Sequence, residues 1–307
     1  MMSITTEPYD PVTADSWLVC DTCGTQFPTT DRSALKTCYV CDDPRQFVPP
    51  SGQSFSTLGE LKKKHKNEWT SCPSDPNITF ICSTPKLAIG QRAILIKTPK
   101  GNILWDCITL LDDETITRIK YEGGLKAIVI SHPHFYSTHV QWARAFACPV
   151  YIASDDKHWT ALSSSHQVLI DNIETAIQDT DAKAIKLGGH FPGSLVLHYN
   201  SRLFIADTLM TTASGVGNWS VDATGAARDR PVGLNSFSFL WSIPNFIPLS
   251  TQEMARMWRV LKGYEFRATH GGFMGMDIEA DDVKERVLES MRIQAGSIGD
   301  KEFEQKL

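Results

Sequence analysis

The sequence of 307 residues has no long apolar run and no excess of basic charge. A membrane-spanning helix needs about 18 to 20 consecutive apolar residues, and no stretch of the chain reaches that length. A net charge of -5 lacks the clustered basic field of a nucleic-acid-binding surface. The basic run at 62–66 is short and is interpreted as a solvated helix face. We therefore expect neither a membrane nor a nucleic acid as partner.

The N-terminus lacks the apolar segment that directs secretion. Its first residues, MMSITTEPYDPVTADSW, include acidic side chains and no apolar core. This favours a cytoplasmic location, where a reducing environment disfavours disulfide bonds. The eight cysteines of the chain then need another explanation.

Four of the cysteines form two pairs, Cys20 with Cys23 and Cys38 with Cys41, separated by fourteen residues. Each Cys-x-x-Cys turn points two thiolates at one centre, and two such turns complete a tetrahedral site. The pattern predicts a structural zinc site and disfavours two disulfides. Iron remains an alternative, because four thiolates suit iron as well as zinc. Gly24, directly after the first pair, fits a tight turn.

These cysteines suggest a division of the chain into three parts. Residues 1–50 are predicted to form a small four-cysteine module that depends on its metal to fold. Residues 51–76 are predicted to be a linker with one short helix at 57–66, and residues 77–307 the main domain. The remaining cysteines are predicted to be buried free thiols: Cys72, Cys82, Cys107 and Cys148.

Strand and helix patterns alternate through the main domain. Short apolar runs bounded by proline or glycine are typical of strands, and apolar residues spaced by three and four are typical of helices. The mixture predicts an α+β fold of mixed sheets covered by helices. Strands are predicted at 77–83, 93–98, 103–107, 127–130, 150–152, 185–187, 194–199 and 203–206, and helices at 112–122, 138–146, 251–262 and 280–295.

Metal-binding residue types stand where apolar segments give way to polar residues or glycines. They are His132 and His134 after one strand, His190 in a glycine-rich turn, Asp207 after another strand, and His270 before two glycines. Two histidines two apart on an extended segment point the same way and can reach one metal. Each of these residues alone is also compatible with a purely structural role, since an aspartate after a strand often caps a turn. Together they predict one metal site.

In order and spacing these motifs resemble those of the metallo-β-lactamase fold hydrolases, over about residues 77–275. The matching segments are KAIVISHPH, PVYIAS and GGHFPGSLVLHYNSRLFIADTL, followed by the late His-Gly-Gly. The resemblance implies an αββα metallo-β-lactamase sandwich with a metal site at one edge, preceded by the small four-cysteine metal module. That module itself resembles zinc-ribbon or rubredoxin-like segments. The implied ligands are His132, His134 and His190 for a first metal, Asp207 as a bridge, and His270 for a second metal.

The chain departs from the family's usual His-x-His-x-Asp-His motif, because Tyr136 and Ser137 occupy its last two positions. Both missing ligands belong to the second metal. We therefore expect one firmly held zinc ion and a second ion that is weakly bound or absent. Asp207 is expected to be catalytic as well as a ligand, and Tyr136 is a candidate donor to an oxyanion. His139 is either a substitute ligand or an exposed helix residue.

An aromatic stretch at 237–248 is interpreted either as a wall of the substrate pocket or as part of the core.

Three functions are compatible with the chain. The first is a zinc-dependent hydrolase of a small carbonyl compound (an ester, lactone, amide or thioester) that uses a metal-activated water. The second is a redox protein with a rubredoxin-like iron module, and the third is a non-catalytic binding protein. The retained metal-binding residues favour the enzyme, while the substrate and the oligomeric state stay open.

Overall fold

A computed structural model describes residues 12–307; residues 1–11, where the predicted four-cysteine module begins, lie outside the described residues. The strands are β1 (Leu18–Cys20), β2 (Gln26–Phe27), β3 (Phe55–Thr57), β4 (Lys66–Cys72), β5 (Asp75–Thr84), β6 (Arg92–Ile96), β7 (Ile103–Trp105), β8 (Ala127–Val129), β9 (Val150–Ala153), β10 (Gln167–Ile170), β11 (Glu174–Ala176), β12 (Lys183–Lys186), β13 (Leu195–Tyr199), β14 (Arg202–Phe204), β15 (Met210–Thr211), β16 (Phe237–Ser238), β17 (Leu240–Ser242), β18 (Ile247–Pro248), β19 (Ala268–His270) and β20 (Asp277–Glu279). The helices are α1 (Leu58–Lys64), α2 (Asp113–Tyr121), α3 (His139–Phe146), α4 (Thr251–Leu261), α5 (Val283–Ser297) and α6 (Phe303–Lys306).

Two mixed sheets pack face to face and form the centre of the molecule. The seven-stranded sheet has the order β10-β9-β8-β7-β6-β5-β4, and the six-stranded sheet has the order β11-β12-β13-β14-β19-β20. Apolar side chains of both sheets meet between them, including Ile94 and Val129 from the first and Leu197 and Phe204 from the second. Burying these side chains away from water holds the sheets together.

Helices cover the outer face of each sheet. Ile119 of α2 and Trp142 of α3 pack in one core with residues of the seven-stranded sheet. Met254 of α4 and Val287 of α5 pack in another core with residues of the six-stranded sheet. The layers therefore run helix, sheet, sheet, helix, and the predicted αββα sandwich is confirmed. Among residues 12–307, no helix is both long and apolar enough to cross a membrane.

Parallel strands bring several polar residues to one edge of the sheets. Strands β7, β8 and β9 run parallel to one another, and Asp106, His132 and Asp156 follow them. Strands β14 and β19 are also parallel, with Asp207 after the first and His270 at the end of the second. The carboxyl ends of parallel strands meet at one edge, which is where ligands of such sheets bind.

The four-cysteine region forms its own three-stranded sheet, in the order β2-β1-β3. Strand β3 comes from the segment predicted as a linker, and it pairs with β1. The same segment contains α1, where Thr57 accepts from the backbone of Glu60 and the Glu60 carboxylate accepts in return, a capping box that fixes the start of a helix. It also supplies β4 to the seven-stranded sheet. The division of the chain at residues 50 and 76 stays a prediction.

The predicted strands and helices of the main domain occur close to their expected bounds, but β4, in the predicted linker, and several very short strands were not predicted. Strand β4, with the sequence KNEWTSC, has few apolar residues to show an alternating pattern. Strands β15 to β18 have only two or three residues each, too few for a period of two to be recognised. The predicted burial of the scattered cysteines holds for Cys72, Cys107 and Cys148, whereas Cys82 is only half-buried.

Candidate metal centres

Four buried side chains from three loops each bring one ligand atom to a common point. They are His132, His134, His190 and Asp207. Asp207 Oδ2 lies 3.3 Å from His132 Nε2 and 3.7 Å from both His134 Nδ1 and His190 Nε2. His134 Nδ1 lies 3.2 Å from His190 Nε2. Ligands about 2.0 Å from one ion lie about 3.3 Å apart in a tetrahedron, so these separations fit a tetrahedral metal site.

The first two histidines approach this point through different ring nitrogens. The backbone of His132 is extended, with φ -168°, but Pro133–Phe135 forms a short 3₁₀ helix. The expectation of two histidines on one extended segment is therefore wrong. This 3₁₀ turn brings His134 Nδ1, the ring nitrogen nearer to the backbone, to the common point that His132 Nε2 also reaches.

The loop that carries His190 is fastened to the loop that carries Asp207. Thr208 Oγ1 accepts a hydrogen bond of 3.2 Å from the His190 backbone and donates to the carbonyl of Gly188. Gly189 has φ +88°, and a Cβ there would lie 2.4 Å from Thr208 Oγ1. Only glycine satisfies both the left-handed backbone and the close approach at this position.

Ser131 and Asp106 orient the ring of His132. His132 Nδ1 and Ser131 Oγ are 2.9 Å apart, so donation from Nδ1 leaves the lone pair of Nε2 for the common point. The Ser131 backbone donates to Asp106 Oδ1 at 2.7 Å. Asp106 is completely buried, and burial raises the pKa of its carboxyl group to about 7. Such partners behind a ligand fix its tautomer and direction.

The unpaired atoms of this group fit a bound cation. His132 Nε2 and Asp207 Oδ1 are buried without a hydrogen-bond partner, although buried polar atoms are normally paired. Burial lowers the pKa of His134 and His190, which keeps both rings in the neutral form that binds metals. Burial alone would raise the pKa of Asp207, but its interactions with the neighbouring histidines outweigh burial and lower that pKa. Neutral imidazoles beside a carboxylate are a donor set that suits zinc.

The structure does not bring His270 into this group. His270 Nδ1 lies 2.8 Å from Asp277 Oδ1, and His270 Nε2 lies 3.2 Å from an Nη of Arg202. Its ring also stacks on Phe204, with 5.2 Å between ring centroids. Both nitrogens therefore have protein partners, and the set of ligands expected for a second metal is reduced to Asp207.

Tyr136 and His139 also direct their polar atoms elsewhere. The Tyr136 hydroxyl donates to the carbonyl of Asp156 at 3.5 Å, so this contact gives no support to a role as oxyanion donor. His139 is buried rather than exposed, which contradicts one of its two interpretations. Its Nδ1 lies 2.9 Å from the Tyr136 carbonyl and its Nε2 lies 2.8 Å from the Gln167 amide nitrogen. Both nitrogens are thus paired within the protein.

The aromatic stretch at 237–248 belongs to the core at its start, which agrees with one of its two interpretations. Phe237 and Phe239 are completely buried in the core under the six-stranded sheet. Trp241 instead faces the guanidinium of Arg45, 5.7 Å from its ring centroid. The stretch is therefore core at its start, while Trp241 packs beside Arg45.

The four paired cysteines form a second compact group. Cys20 Sγ lies 3.6 Å from Cys41 Sγ, and Cys23 Sγ lies 3.6 Å from Cys38 Sγ. Sulfurs about 2.3 Å from one ion would lie about 3.8 Å apart, so the group fits a tetrahedral metal. All four thiols are free and buried.

Gly24 allows the first cysteine pair to pack against the main domain. It has φ +81°, and a Cβ there would lie 1.9 Å from Thr109 Oγ1. Its backbone nitrogen donates to the carbonyl of Cys20 at 2.8 Å, which closes the turn between the two cysteines. The tight turn predicted at this glycine is confirmed.

Several residues around the two centres were not predicted from the sequence. Ser131 and Asp106 each follow an apolar strand, which is only a weak indication of a functional role. Nothing in the sequence indicates a role for Arg45 or Gln91, since they reach the histidine group from segments far away in sequence. Arg45 donates to the carbonyl of His190, and Gln91 donates to the carbonyl of His134.

Comparisons with known proteins agree with this architecture. No protein-family model matches the chain. The chain is 35% identical over 276 residues to the uncharacterized protein YmaE of Bacillus subtilis (strain 168), covering 90% of this chain and 93% of YmaE. The chain belongs to the YmaE family. The tenth of the chain left outside this match is shorter than the predicted module of residues 1–50, so the family likeness extends into the four-cysteine region.

Solved structures show the fold of the YmaE family member described here. The metallo-β-lactamase FIM-1 of Pseudomonas aeruginosa, in its mono-zinc form, matches with a TM-score of 0.50 at 14% identity, covering 76% of this chain and 96% of its own. VMB-1 matches with a TM-score of 0.52 at 13% identity, covering 76% and 99%. A metallo-β-lactamase from Pontibacter korlensis matches with a TM-score of 0.50 at 12% identity, covering 74% and 99%. The chain therefore has the metallo-β-lactamase fold, with a four-cysteine cluster in addition.

Proposed function

We propose that this protein is a zinc-dependent hydrolase of a small carbonyl compound: an ester, lactone, amide or thioester. One observation carries the proposal. Four buried ligand atoms lie at tetrahedral separations within a metallo-β-lactamase fold, at the residues His132, His134, His190 and Asp207. A zinc ion held there by the three histidines, with Asp207 beside it, would supply a Lewis acid and, in its remaining coordination position, a water whose pKa is lowered to about 7.

The protein's own residues prepare this chemistry. The contact of Ser131 with His132 Nδ1 leaves His132 Nε2 free for the metal, and Thr208 ties the loop of His190 to that of Asp207. The lowered pKa of Asp207 keeps it a carboxylate at neutral pH, and its unpaired Oδ1 can accept a hydrogen bond from the attacking water and orient it. Tyr136 is not part of the proposed site, because its hydroxyl donates to a backbone carbonyl.

We propose one metal ion at the histidine group rather than two. Of the residues expected to bind a second metal, His270 is within hydrogen-bonding distance of Asp277 and Arg202 through its two ring nitrogens. Tyr136 and Ser137 stand where the family motif has its other two ligands. We further propose zinc at the four cysteines, so that the loaded chain holds two ions.

We propose a small molecule as substrate and the cytoplasm as location, with no nucleic acid or membrane as partner. The acidic net charge of -5 supports the exclusion of nucleic acid. The eight cysteines are all free within the described chain, in keeping with a reducing compartment.

Elemental analysis and a substrate panel test the proposal. The purified protein should hold two zinc ions per chain, and His132→Ala or His190→Ala should remove one of them and abolish turnover of every active ester, lactone, amide or thioester. Chelation should stop turnover and added zinc should restore it. His158→Ala is the matched control, because His158 is exposed.

Three outcomes would contradict parts of this proposal. Unchanged turnover in both histidine variants would remove the histidine group as the active site. Three tightly held ions per chain would contradict the single-metal centre. A coloured protein containing iron would contradict zinc at the cysteines and favour the redox alternative.

A further inference from the structure

Arg45, from the loop after the last of the four cysteines, reaches the histidine group. Its guanidinium pairs with Asp43 through two contacts of 2.7 and 2.9 Å. Its remaining Nη donates to the carbonyl of His190 at 3.3 Å. Because Asp43 neutralises the charge, this contact acts by fixing the position of the His190 loop rather than by attracting an anion.

The same guanidinium covers Phe191, which touches all three histidines. The Arg45 Cζ lies 3.8 Å from the Phe191 ring centroid, a distance at which a guanidinium packs closely on an aromatic face. The Phe191 ring stacks on His132 at 5.7 Å between centroids. It meets His134 and His190 edge to face, each at 5.0 Å. A shift of Arg45 would therefore release the ring that the three imidazoles pack against.

Gln91 forms a second connection between the two centres. Its side-chain amide nitrogen donates to the carbonyl of Cys23 at 3.2 Å and to the carbonyl of His134 at 3.1 Å. Gln91 is buried, so replacing it leaves two carbonyls without their donor, which costs more than the loss of an exposed contact. One amide thus fixes the distance between a cysteine turn and a histidine turn.

We propose that Arg45 and Gln91 are positioning residues through which the four-cysteine module sets the geometry and metal affinity of the histidine site. Arg45 acts on the His190 loop and Gln91 on the His134 turn, so each connects the module to a different part of the ligand set. The inference rests on the proposed metal at the histidines, and it adds that the module is part of that centre. Replacing a residue that orients a metal ligand typically lowers metal affinity about 10- to 100-fold.

Arg45→Met tests the first connection, with Arg32→Met as its matched control. Arg32 lies in the same module, donates to the carbonyl of Phe55 and covers the Phe55 ring at 5.4 Å, but it touches no histidine. The full chain is loaded with zinc at the cysteines and titrated with cobalt against a competing chelator. We expect Arg45→Met to weaken cobalt binding at the histidines at least tenfold and to change the cobalt absorption spectrum. Arg32→Met should leave both at wild-type values.

Gln91→Met tests the second connection, with Gln53→Met as its control. Gln53 Nε2 donates to the carbonyl of Cys38 and its Oε1 accepts from the Cys38 backbone, so it contacts the second cysteine turn and, within the described chain, no histidine. We expect weaker cobalt binding only in Gln91→Met. Circular dichroism and the zinc content of the cysteine site establish that each variant is folded. Arg45→Lys, which keeps the charge without the planar fork, should recover part of the lost affinity.

Wild-type cobalt affinity and spectrum in folded Arg45→Met and Gln91→Met would overturn the inference. The readout is separate from the proposed hydrolysis. A protein whose cobalt affinity depends on Arg45 and Gln91 but that turns over no carbonyl substrate refutes the hydrolase and supports the inference. Full hydrolysis with unchanged cobalt binding in both variants supports the hydrolase and refutes the inference.

Discussion

Replacing Asp277 by alanine tests the ion pair that joins the two sheets beside His270. Arg92 of β6 is completely buried and contacts Asp277 of β20 through two hydrogen bonds of 2.9 and 2.6 Å. The Arg92 Nε donates to the carbonyl of Gly271 at 2.7 Å, and the guanidinium covers the ring of Phe80 at 4.1 Å. The loss of the carboxylate leaves a buried cation without its counter-charge.

The burial of the two partners sets the size of the expected effect. A buried charge that loses its partner costs about 3–5 kcal/mol, whereas an exposed pair is worth about 0.2–1 kcal/mol. The Arg92 side chain is 0% exposed and that of Asp277 is 29% exposed, so some water reaches the carboxylate. We therefore expect Asp277→Ala to lower the free energy of unfolding by about 3 kcal/mol, at the lower end of the range for buried pairs.

The pH dependence of this loss has a definite sign. Burial by itself raises the pKa of Asp277, but the hydrogen bond from His270 and the contact with Arg92 outweigh burial and lower it. A group whose pKa is lowered by folding stabilises the protein above its ordinary pKa, which is 3.8 here, and loses that contribution as the pH falls. The difference between wild type and Asp277→Ala should therefore be complete at pH 7 and shrink as the pH falls below about 4.

Urea unfolding of the metal-loaded protein measures the effect, with Glu304→Ala as control. Arg292 and Glu304 also form two contacts, of 2.6 and 3.0 Å, but their side chains are 49% and 61% exposed. We expect a loss below about 1 kcal/mol in the control. A variant with leucine at both 92 and 277 should recover much of the stability, because it leaves no unpaired charge. If Asp277→Ala costs no more than Glu304→Ala, the argument from burial is refuted.

The remaining predictions concern His139 and Gly189. Burial lowers the pKa of His139 to about 4 from an ordinary 6.5, so its contribution is present above pH 6.5 and is lost as the pH falls towards 4. Wild type should therefore lose up to about 3 kcal/mol of its free energy of unfolding between pH 7 and 4, and His139→Gln should remove this loss. Urea unfolding at several pH values measures it, with the exposed-site variant His158→Gln as control. If the free energy of unfolding depends on pH equally in the two variants, the prediction is contradicted. Gly189→Ala should destabilise the protein by about 1–3 kcal/mol and weaken metal binding. Its control, Gly225→Ala, has a similar φ of +85° but open space around the new Cβ; equal losses in the two would show that contact with Thr208 does not matter.

The cysteine group and the pair His132 and His134 could be predicted from the sequence because these ligands occur in short motifs, whereas His190 and Asp207 were expected from separate turns and from the family resemblance. The pairs Cys20-x-x-Cys23 and Cys38-x-x-Cys41 bring their sulfurs together through local turns, and the structure places all four in one group. His132 and His134 are close for the same reason. The apolar patterns of the longer strands and helices predicted mixed sheets covered by helices, and the αββα layering was implied by the resemblance to the metallo-β-lactamase fold.

The direction of the His270 side chain could not be predicted, because it depends on strand pairing between distant segments. In the antiparallel pair β19–β20, His270 stands directly opposite Asp277, and opposite residues in such a pair have neighbouring side chains. Arg202 lies on β14, which pairs with β19 on its other side. A carboxylate and a guanidinium therefore flank the imidazole, a fact that no local motif contains.

Three positions linked to a second metal make contacts that hold the structure together, although the Ser137 hydroxyl and Asp207 Oδ1 are buried without a hydrogen-bond partner. The Ser137 carbonyl accepts a hydrogen bond from the backbone of Gln26 in the four-cysteine region. The Tyr136 hydroxyl donates to the carbonyl of Asp156, and the His270 ring is shared between two charged side chains. The departures from the family motif at Tyr136 and Ser137 and the pairing of His270 agree with one another, and they support the proposed centre with one metal.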